Sequence, residues 1–265
     1  MSRKVEVLTH DRPAETKEAL RLLTEAAEKA GAQLVLATDG DTQADLCIVL
    51  GGDGATLRAL RKHAGTGVPV FAINFGRIGF LSTVDQEDIA HSIELALTGQ
   101  FEVVRLPALV TDGRSSSERF AINEISFQRR PEINLTHLSY SLAGEWVARV
   151  PCDGLIAATP AGSTAYSLSV GGPIVAWGVR GFVVNLIAPH ALSSRALVAA
   201  PEDVLRVVND GDDPVDIVID GIRTGELAAK EECEIKFTPD VAGLAQLPGS
   251  SFYRRFREKL LQLTS

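Results

Sequence analysis

The segment Leu50-Gly51-Gly52-Asp53-Gly54-Ala55-Thr56 joins an apolar run, 46–50, to an amphipathic run, 56–60. This change of pattern predicts a strand that ends in a glycine turn and is followed by a helix. Glycines let the backbone adopt φ > 0 and approach a ligand closely, and free N–H groups at a helix start favour phosphates. The segment is therefore either a phosphate-binding turn or a plain glycine turn in which Asp53 caps the helix.

Asp53 is the informative residue of this turn, because a carboxylate repels a phosphate group. Its position makes chemical sense if it takes a proton from an attacking hydroxyl group or helps to hold a metal ion. Asp53 is therefore the candidate catalytic residue.

Strand-like and helix-like runs alternate around this turn, which predicts a parallel α/β layer. The predicted strands are 4–8, 33–37, 45–50 and 68–73, and the predicted helices are 13–30, the Asp53 turn to about His63, and 85–97 with Asp85 as N-cap. Ligands of such sheets bind beyond the carboxyl ends of the strands. We therefore expect the Asp53 turn and the loop 74–80 to share one crevice.

The pattern changes after Phe101, where strand-like runs follow one another with hardly a helix between them. These runs are 103–110, 120–128, 135–142, 145–150, 155–159, 181–187, 204–208, 215–219 and 233–237. A hairpin is predicted at 142–145, and the spacing of phenylalanines and leucines over 252–263 predicts an amphipathic helix. Its polar face is assigned Arg254, Arg255, Arg257 and Lys259. We predict an α/β domain of residues 1–100 and a β-rich, sandwich-like domain of residues 101–249.

Composition excludes some classes of function. A net charge of −8 over 265 residues and a pI near 5.2 argue against nucleic-acid or membrane-surface binding. The sequence has neither a signal-peptide pattern nor an apolar run of about 18 residues, so we expect a cytoplasmic protein. The three cysteines form no CxxC pair and are predicted to be buried free thiols. The five histidines show no metal-binding spacing, so no histidine metal site is predicted.

Two further segments carry candidate chemistry. Apolar residues change alternation phase at Asn123-Glu124, which predicts a β-bulge that aims both side chains into one pocket; two solvated residues on a strand edge are the alternative. In the block 153–173 a strand runs into a Pro-Ala-Gly-Ser-Thr turn and a short helix near Ser163 or Thr164. Its hydroxyls, N–H groups and Tyr166 suit a nucleoside, whereas helix capping by Ser163 with Tyr166 in the core is the alternative.

Taken together, these segments resemble the ordered motif set of NAD kinases. The resemblance rests on Gly51-Gly52-Asp53-Gly54, the segment 74–81, Asn123-Glu124, the block 153–173, and Ala188-Pro189-His190 followed by Arg195. The glycine turn alone is shared with lipid kinases and phosphofructokinases. Asn123-Glu124 and the block 159–166 are far more specific to NAD kinases.

The resemblance implies a phosphotransferase that acts on an alcohol group. Its reaction would move phosphate from ATP, or from polyphosphate, to the adenosine ribose 2'-hydroxyl of NAD and so form NADP. Mg²⁺ or another divalent cation would bridge the phosphates, with ligands that we cannot assign from the sequence. The family also implies a Rossmann-like first domain to which the terminal helix, 250–265, returns, and a homodimer or homotetramer.

The resemblance also gives roles to individual residues. It makes Asp53 the general base, places Asn123 and the backbone of 164–165 at the adenine, Glu124 at the ribose and Asp153 at the nicotinamide end. The candidate NAD-binding residues are Asp53, Gly54, Phe80, Asn123, Glu124, Asp153, Ala161, Thr164, Ala165, Tyr166, Ser169 and Ala188. The candidate ATP-phosphate residues are Gly51, Gly52, Gly54 and Arg58.

The sequence departs from the family pattern at Ala55 and Ala161, which lack the hydroxyl groups common at those positions. No Gly-Lys-Ser/Thr segment occurs, so the donor is not held by a P-loop. A lipid kinase of the same superfamily and a non-catalytic NAD-responsive regulator are the alternative functions.

Overall fold

The computed structural model describes residues 3–9, 13–37, 43–75, 79–82, 84, 89–111, 120–191 and 194–259. The chain forms two compact units, one of residues 1–105 with 242–265 and one of residues 106–241. The domain limits predicted from the sequence lie close to these limits, and as limits of independently folding domains they stay a prediction.

The first unit contains a parallel sheet whose strands alternate with helices along the chain. Its first seven elements are β1 (Lys4–Thr9), α1 (Pro13–Ala30), β2 (Gln33–Leu36), β3 (Leu46–Gly51), α2 (Asp53–Lys62), β4 (Pro69–Asn74) and α3 (Ile89–Thr98). The strand order is β2-β1-β3-β4, and every pair is parallel. The central strand β3 is buried along its whole length, which explains its continuous apolar sequence. The predicted alternation is confirmed.

The remaining elements are mostly antiparallel strands. They are β5 (Glu102–Thr111), β6 (Phe120–Ala121), β7 (Glu124–Gln128), β8 (Thr136–Leu142), β9 (Glu145–Cys152), β10 (Gly154–Ala158), a 3-10 turn (Gly162–Thr164), α4 (Tyr166–Ser169), β11 (Phe182–Ile187), β12 (Leu197–Ala199), β13 (Leu205–Asn209), β14 (Val215–Ile219), β15 (Ile222–Leu227), β16 (Glu232–Gln246) and α5 (Phe252–Lys259). The chain leaves the first unit within β5 and returns to it within β16.

The second unit is a sandwich of two sheets around one apolar core. One sheet runs β12-β11-β10-β7-β14-β15, and the other includes β16-β13-β8-β9. Buried side chains from both sheets, such as Phe127 and Leu155 from one and Leu138 and Val207 from the other, share this core. The α/β plus β-sandwich fold class predicted from the sequence is confirmed.

The turn between β8 and β9 shows how closely local sequence determines this sandwich. Ala143 and Gly144 adopt φ of 52° and 82°, the left-handed pair that a two-residue hairpin of this twist requires. The hairpin predicted at 142–145 is therefore confirmed.

Two predictions for this half of the chain were wrong. Asn123-Glu124 does not form a bulge within one strand, because the chain passes from one sheet to the other at this point. Strand β6 pairs with β5 in one sheet, and β7 pairs with β10 and β14 in the other. The last strand, predicted over 233–237, continues to Gln246. It passes through Pro239 and through Asp240, whose φ is 56°.

The terminal helix packs within the first unit, as predicted. The ring of Phe252 lies 6.2 Å from that of Phe80. Arg255, assigned to the polar face, is instead only 7% exposed. The predicted apolar positions Leu260 and Leu263, like Asp85, lie outside the described residues. No helix in the described part of the chain combines the length and apolar character needed to cross a bilayer.

A buried ionic cluster ties the end of α2 to the sheet. The fully buried carboxylate of Glu6 lies 2.7 Å from Nζ of Lys62 and 2.6 Å from Nε2 of His63. The thiol of Cys47 completes a group whose ligand atoms with Glu6 and His63 lie within 4.8 Å of one another. Burial raises the pKa of this thiol, so it stays protonated. Cys47 and Cys152 are buried and Cys233 is partly buried, all three as free thiols.

We expect Glu6→Gln to lower the free energy of unfolding by about 3 kcal/mol, because it removes one partner of a buried ion pair. The exposed pair of Glu18 with Arg21 supplies the control, and Glu18→Gln should change stability by less than about 1 kcal/mol. Urea unfolding followed by circular dichroism measures both. Equal effects of the two substitutions would contradict a structural role for the buried cluster.

Candidate active site

The glycine turn leads directly into α2. Gly51 ends β3, Gly52 is the N-cap residue in extended conformation (φ −95°, ψ −169°), and Asp53 is the first helical residue. None of the three glycines has positive φ, so this turn does not use the left-handed region that the sequence allows. The first α2 turn leaves N–H groups free at its start, and a Cβ at Gly54 would meet nothing within 4 Å. Space for a ligand therefore exists beside Gly54.

Asp53 does not cap its own helix. Its carboxylate accepts hydrogen bonds from the N–H groups of Phe80 (2.6 Å) and Leu81 (3.0 Å), in the segment that follows β4. Burial raises the pKa of Asp53, while these N–H groups, that of Ser82 and the charge of Arg255 offset part of the rise. The predicted meeting of the Asp53 turn with the 74–80 loop is confirmed at Phe80, and residues 76–78 lie outside the described residues.

Gly79 is required by the same contact. A Cβ at this position would lie 2.5 Å from Oδ1 of Asp53 and 2.7 Å from Oγ of Ser82. The space that a side chain would occupy is thus filled by the carboxylate. The glycine of the 74–81 segment allows the backbone to approach Asp53 closely enough to donate its N–H groups.

The second unit holds the Asn123-Glu124 pair at the point where the chain changes sheet. Oδ1 of Asn123 and Oε2 of Glu124 are buried acceptors without a hydrogen-bond partner among the described residues. Buried polar atoms are normally paired, so two such atoms on neighbouring residues indicate a place for a ligand that forms hydrogen bonds. The predicted bulge was wrong, and the entry of both polar side chains into one pocket stays a prediction.

Asp220 fixes this dipeptide, and the sequence analysis missed it. It lies in the turn between β14 and β15 with φ of 48°, and its carboxylate accepts the N–H groups of Ile122 (2.9 Å), Asn123 (2.8 Å) and Glu124 (3.1 Å). Asp220-Gly221 is a typical hairpin-turn pair, so sequence indicates the turn but not its reach to Asn123.

Glu124 has an unusual charge state. Burial, together with the nearby charge of Asp220, raises its pKa to about 8, although the N–H of Tyr166 favours the ionised form. The side chain is 7% exposed. At neutral pH Glu124 is therefore mostly a protonated acid that can donate as well as accept a hydrogen bond.

The block after β10 packs against the same dipeptide. Thr159 donates its N–H to the carbonyl of Asn123 (2.8 Å) and its hydroxyl to the carbonyl of Ile122 (2.5 Å). A Cβ at Gly162 would lie 2.1 Å from the carbonyl oxygen of Asn123, so only glycine fits there. Ser163 accepts the N–H of Val175, and its hydroxyl donates to the carbonyl of Pro160 (2.6 Å). Ser163 thus anchors the block internally.

The other predicted residues of this block lie at its surface or just below it. Ala161 is buried, Thr164, Ala165 and Tyr166 are half-buried, and Ser169 is exposed at the end of α4. The Thr164 hydroxyl donates to the carbonyl of Ala161 (3.0 Å). Tyr166 packs in part against a small apolar cluster with Val170, so its alternative position in the core holds in part. Its stacking on a nucleoside stays a prediction.

Asp153 and Ala188 lie at neighbouring strand ends. The N–H of Asp153 donates to the carbonyl of Ile187 (2.9 Å), and Ala188 follows with φ of 42°. Arg129 donates two hydrogen bonds to the Asp153 carboxylate, from Nε (2.6 Å) and from Nη2 (3.2 Å). These bonds lower the pKa of Asp153. Arg129 is a second residue that the motif pattern did not reveal.

Arg58, a predicted phosphate ligand, is exposed on α2.

Comparison with known proteins shows the family to which the chain belongs. Residues 5–101 match the ATP-NAD kinase N-terminal domain, and residues 122–245 match the ATP-NAD kinase C-terminal domain. The chain belongs to the NAD kinase family. An NAD kinase of Symbiobacterium thermophilum is 36% identical over 249 residues, which cover 91% of this chain and 88% of the relative. One of Ruminiclostridium cellulolyticum is 31% identical over 98% of both chains.

Solved structures of NAD kinases agree with this assignment. Yeast NADH kinase complexed with NADH superposes with a TM-score of 0.84 at 25% identity, over 100% of this chain and 89% of that one. An Archaeoglobus fulgidus NAD kinase in complex with ATP gives 0.79 at 25% identity, over 97% and 98%. The family predicted from the sequence motifs is confirmed.

We expect the stability of the protein to fall as pH rises from about 4.5 to about 8, in part because native Glu124 keeps a proton that the unfolded chain loses. Glu124→Gln removes this contribution. The free energy of unfolding of the variant, relative to that of the wild type, should therefore rise with pH across this interval and stay constant above it. Thermal unfolding at a series of pH values measures the difference. The exposed Glu94→Gln is the control, and an equal gain there would refute the assignment to Glu124.

Proposed function

We propose that the protein is an NAD kinase that transfers the γ-phosphoryl group of ATP to the 2'-hydroxyl of the adenosine ribose of NAD. One structural observation carries the proposal: a half-buried carboxylate, that of Asp53, is fixed at the start of α2, directly after a glycine turn with room beside Gly54. Membership of the NAD kinase family supports the choice of substrates. No feature of the described residues favours a lipid substrate or a purely regulatory role.

Asp53 is the proposed general base. Its raised pKa makes it a better proton acceptor than an exposed aspartate, and its bonds to Phe80 and Leu81 hold it in one orientation. A carboxylate has more acceptor positions than these two N–H groups use, so the ribose hydroxyl can still donate to it. The 2'-oxygen then attacks the γ-phosphorus, its proton passes to Asp53, and ADP leaves.

Adenosine recognition is assigned to the second unit. The free acceptor of Asn123 suits an amino group of adenine, and protonated Glu124 can both donate to and accept from the ribose hydroxyls. Tyr166 is proposed to supply an aromatic wall, and Thr164, Ala165, Ala161 and Ser169 to complete the adenosine side. Phe80, in the first unit, is proposed as an NAD contact from the family resemblance alone. Asp153 and Ala188 are assigned to the nicotinamide end, with Arg129 holding Asp153 in place.

The phosphoryl donor is assigned to the glycine turn. The N–H groups at the start of α2 and the side chain of Arg58 are proposed to meet the phosphates of ATP, with inorganic polyphosphate as the alternative donor. Mg²⁺ would arrive bound to the ATP phosphates and neutralise their charge during transfer. No residue is assigned as its ligand. A cytoplasmic location belongs to the same proposal.

The assay is direct. Purified protein is incubated with NAD, Mg²⁺ and either ATP or polyphosphate, and NADP is measured with a coupled NADP-specific dehydrogenase. We expect NADP with ATP. Absence of NADP with both donors, in a folded protein, would overturn the proposed function.

We expect Asp53→Asn to lower kcat by about 10²- to 10⁴-fold, because an amide cannot accept the proton. NAD affinity, measured by calorimetry, should change less than about three-fold, since adenosine is held by other residues. The matched control is Asp45→Asn, which alters another carboxylate of the same unit that accepts a backbone N–H, that of Lys4. Near-normal turnover by Asp53→Asn would exclude Asp53 as the base, and loss of NAD binding would make it a ligand-holding residue instead.

We further propose a homodimer or homotetramer in which Asp153 and Ala188 complete a site across subunits, as the family resemblance implies. Activity per mole should then fall on dilution as the subunits separate. Sedimentation velocity over the same concentration range gives the assembly state. A fully active monomer would exclude the shared site.

A further inference from the structure

The terminal helix inserts a charged residue where an amphipathic helix normally places an apolar one. Arg255 of α5 is 7% exposed, whereas its neighbours Arg254 and Tyr253 are exposed. Burying a guanidinium group is costly unless its donors are satisfied. The helix already has an aromatic anchor in Phe252, which contacts Phe80. Docking of the helix therefore does not by itself explain Arg255.

The partners of Arg255 explain its position. Its Nη1 donates to the carbonyl of Phe80 at 3.0 Å and also to the carbonyl of Ser82, while Nη2 donates to Oε1 of Gln246 at the end of β16. The planar guanidinium thus joins the segment 80–82 to β16 in a fixed geometry. A lysine ammonium has no such fork of donors.

The same short segment contacts Asp53 from its other side. Phe80 and Leu81 donate their N–H groups to Asp53, and the N–H of Ser82 acts in the same direction. Phe80 and Ser82 give their carbonyl groups to Arg255. The peptide group that joins Phe80 to Leu81 therefore has the Asp53 carboxylate at its N–H end and the Arg255 guanidinium at its C=O end. Such a chain of hydrogen bonds strengthens each of its members.

We propose that Arg255 is a positioning residue for Asp53, which it holds in place through the backbone of residues 80–82. This inference rests on the proposed function, in which Asp53 is the general base. Arg255 does not reach the substrate in this account. It sets the position of the groups that orient the base, and its charge acts on the base from α5.

The electrostatic part of this role has a definite sign. The positive charge of Arg255 lowers the pKa of Asp53, against the larger rise caused by burial. The segment 80–82 contributes only backbone N–H groups to the carboxylate, and α5 contributes the charge. Removing the charge should therefore raise the pKa of Asp53 and move the acidic limb of the kcat/KM profile to higher pH.

The test uses three variants of the full chain. Arg255→Met removes the charge and the fork, Arg255→Lys keeps the charge but loses the fork, and Arg254→Met alters the exposed neighbour that pairs with Glu258. We expect kcat to fall about 10²-fold in Arg255→Met and about 10-fold in Arg255→Lys, with KM for NAD within about three-fold of the wild type. The acidic limb should move by about half a pH unit or more in Arg255→Met only. Arg254→Met should match the wild type.

A double variant separates positioning from a general loss of structure. If Arg255 acts through Asp53, adding Arg255→Met to Asp53→Asn should cost less than about three-fold in further activity. The proposal would be overturned if the fold loss of activity in the double variant equalled the product of the losses in the two single variants. A folded Arg255→Met with unchanged kcat and unchanged pH profile would also overturn it. If Arg255→Met does not fold, Arg255→Lys decides by the same comparison. A wild type that makes no NADP, or an active Asp53→Asn, would instead refute the proposed function itself.

Discussion

A carboxylate that is partly removed from water needs hydrogen-bond donors, and this chain supplies them twice from backbone N–H groups. Asp53 collects those of residues 80–82, and Asp220 collects those of residues 122–124. In each case a single side chain, far away in sequence, fixes a short segment that has no regular secondary structure. Loops that would otherwise be free to vary thereby acquire a defined geometry. The first segment adjoins the candidate catalytic carboxylate of the first unit, and the second contains the Asn123-Glu124 pair of the second unit.

The charges of the candidate site follow from how each carboxyl group is compensated. Asp153 is paired with Arg129 and partly exposed, so its pKa lies below the ordinary value. Asp53 is half-buried, and its pKa is raised by this loss of solvent, although its N–H donors and the charge of Arg255 offset part of the rise. Glu124 is buried beside another carboxylate, and its pKa rises furthest. Three carboxyl groups thus differ in charge state because their surroundings differ: Asp153 is an anion, Glu124 is mostly a neutral acid at pH 7, and Asp53, the proposed base, has a raised pKa.

Local patterns predicted much of the fold, and contacts distant in sequence explain what they missed. Helix α1, the buried strand β3 and the Ala143-Gly144 hairpin follow from periodicity and turn chemistry, which depend on neighbouring residues. The phase change at Asn123 was interpreted as a bulge. A bulge and a change of sheet shift the alternation of apolar and polar residues in the same way, so the sequence does not distinguish them. The sequence also singled out Asp53, yet Asp220 and Arg255 act through backbone atoms of distant segments. A backbone partner leaves no residue-type pattern, so these two positions were not predictable from the motifs.

The glycines of the site differ in what excludes a side chain. At Gly79 and Gly162 an added Cβ would collide with Asp53 or with the backbone of Asn123, so the fold itself forbids substitution. At Gly54 an added Cβ would meet nothing in the chain. Mutational tolerance at these positions therefore carries different information: Gly79 and Gly162 report on packing, whereas any intolerance at Gly54 would report on a bound molecule. A saturation library scored for both abundance and activity would distinguish loss of packing from loss of ligand binding. Substitutions at Gly54 that lower activity but not abundance would show that a ligand lies against this residue.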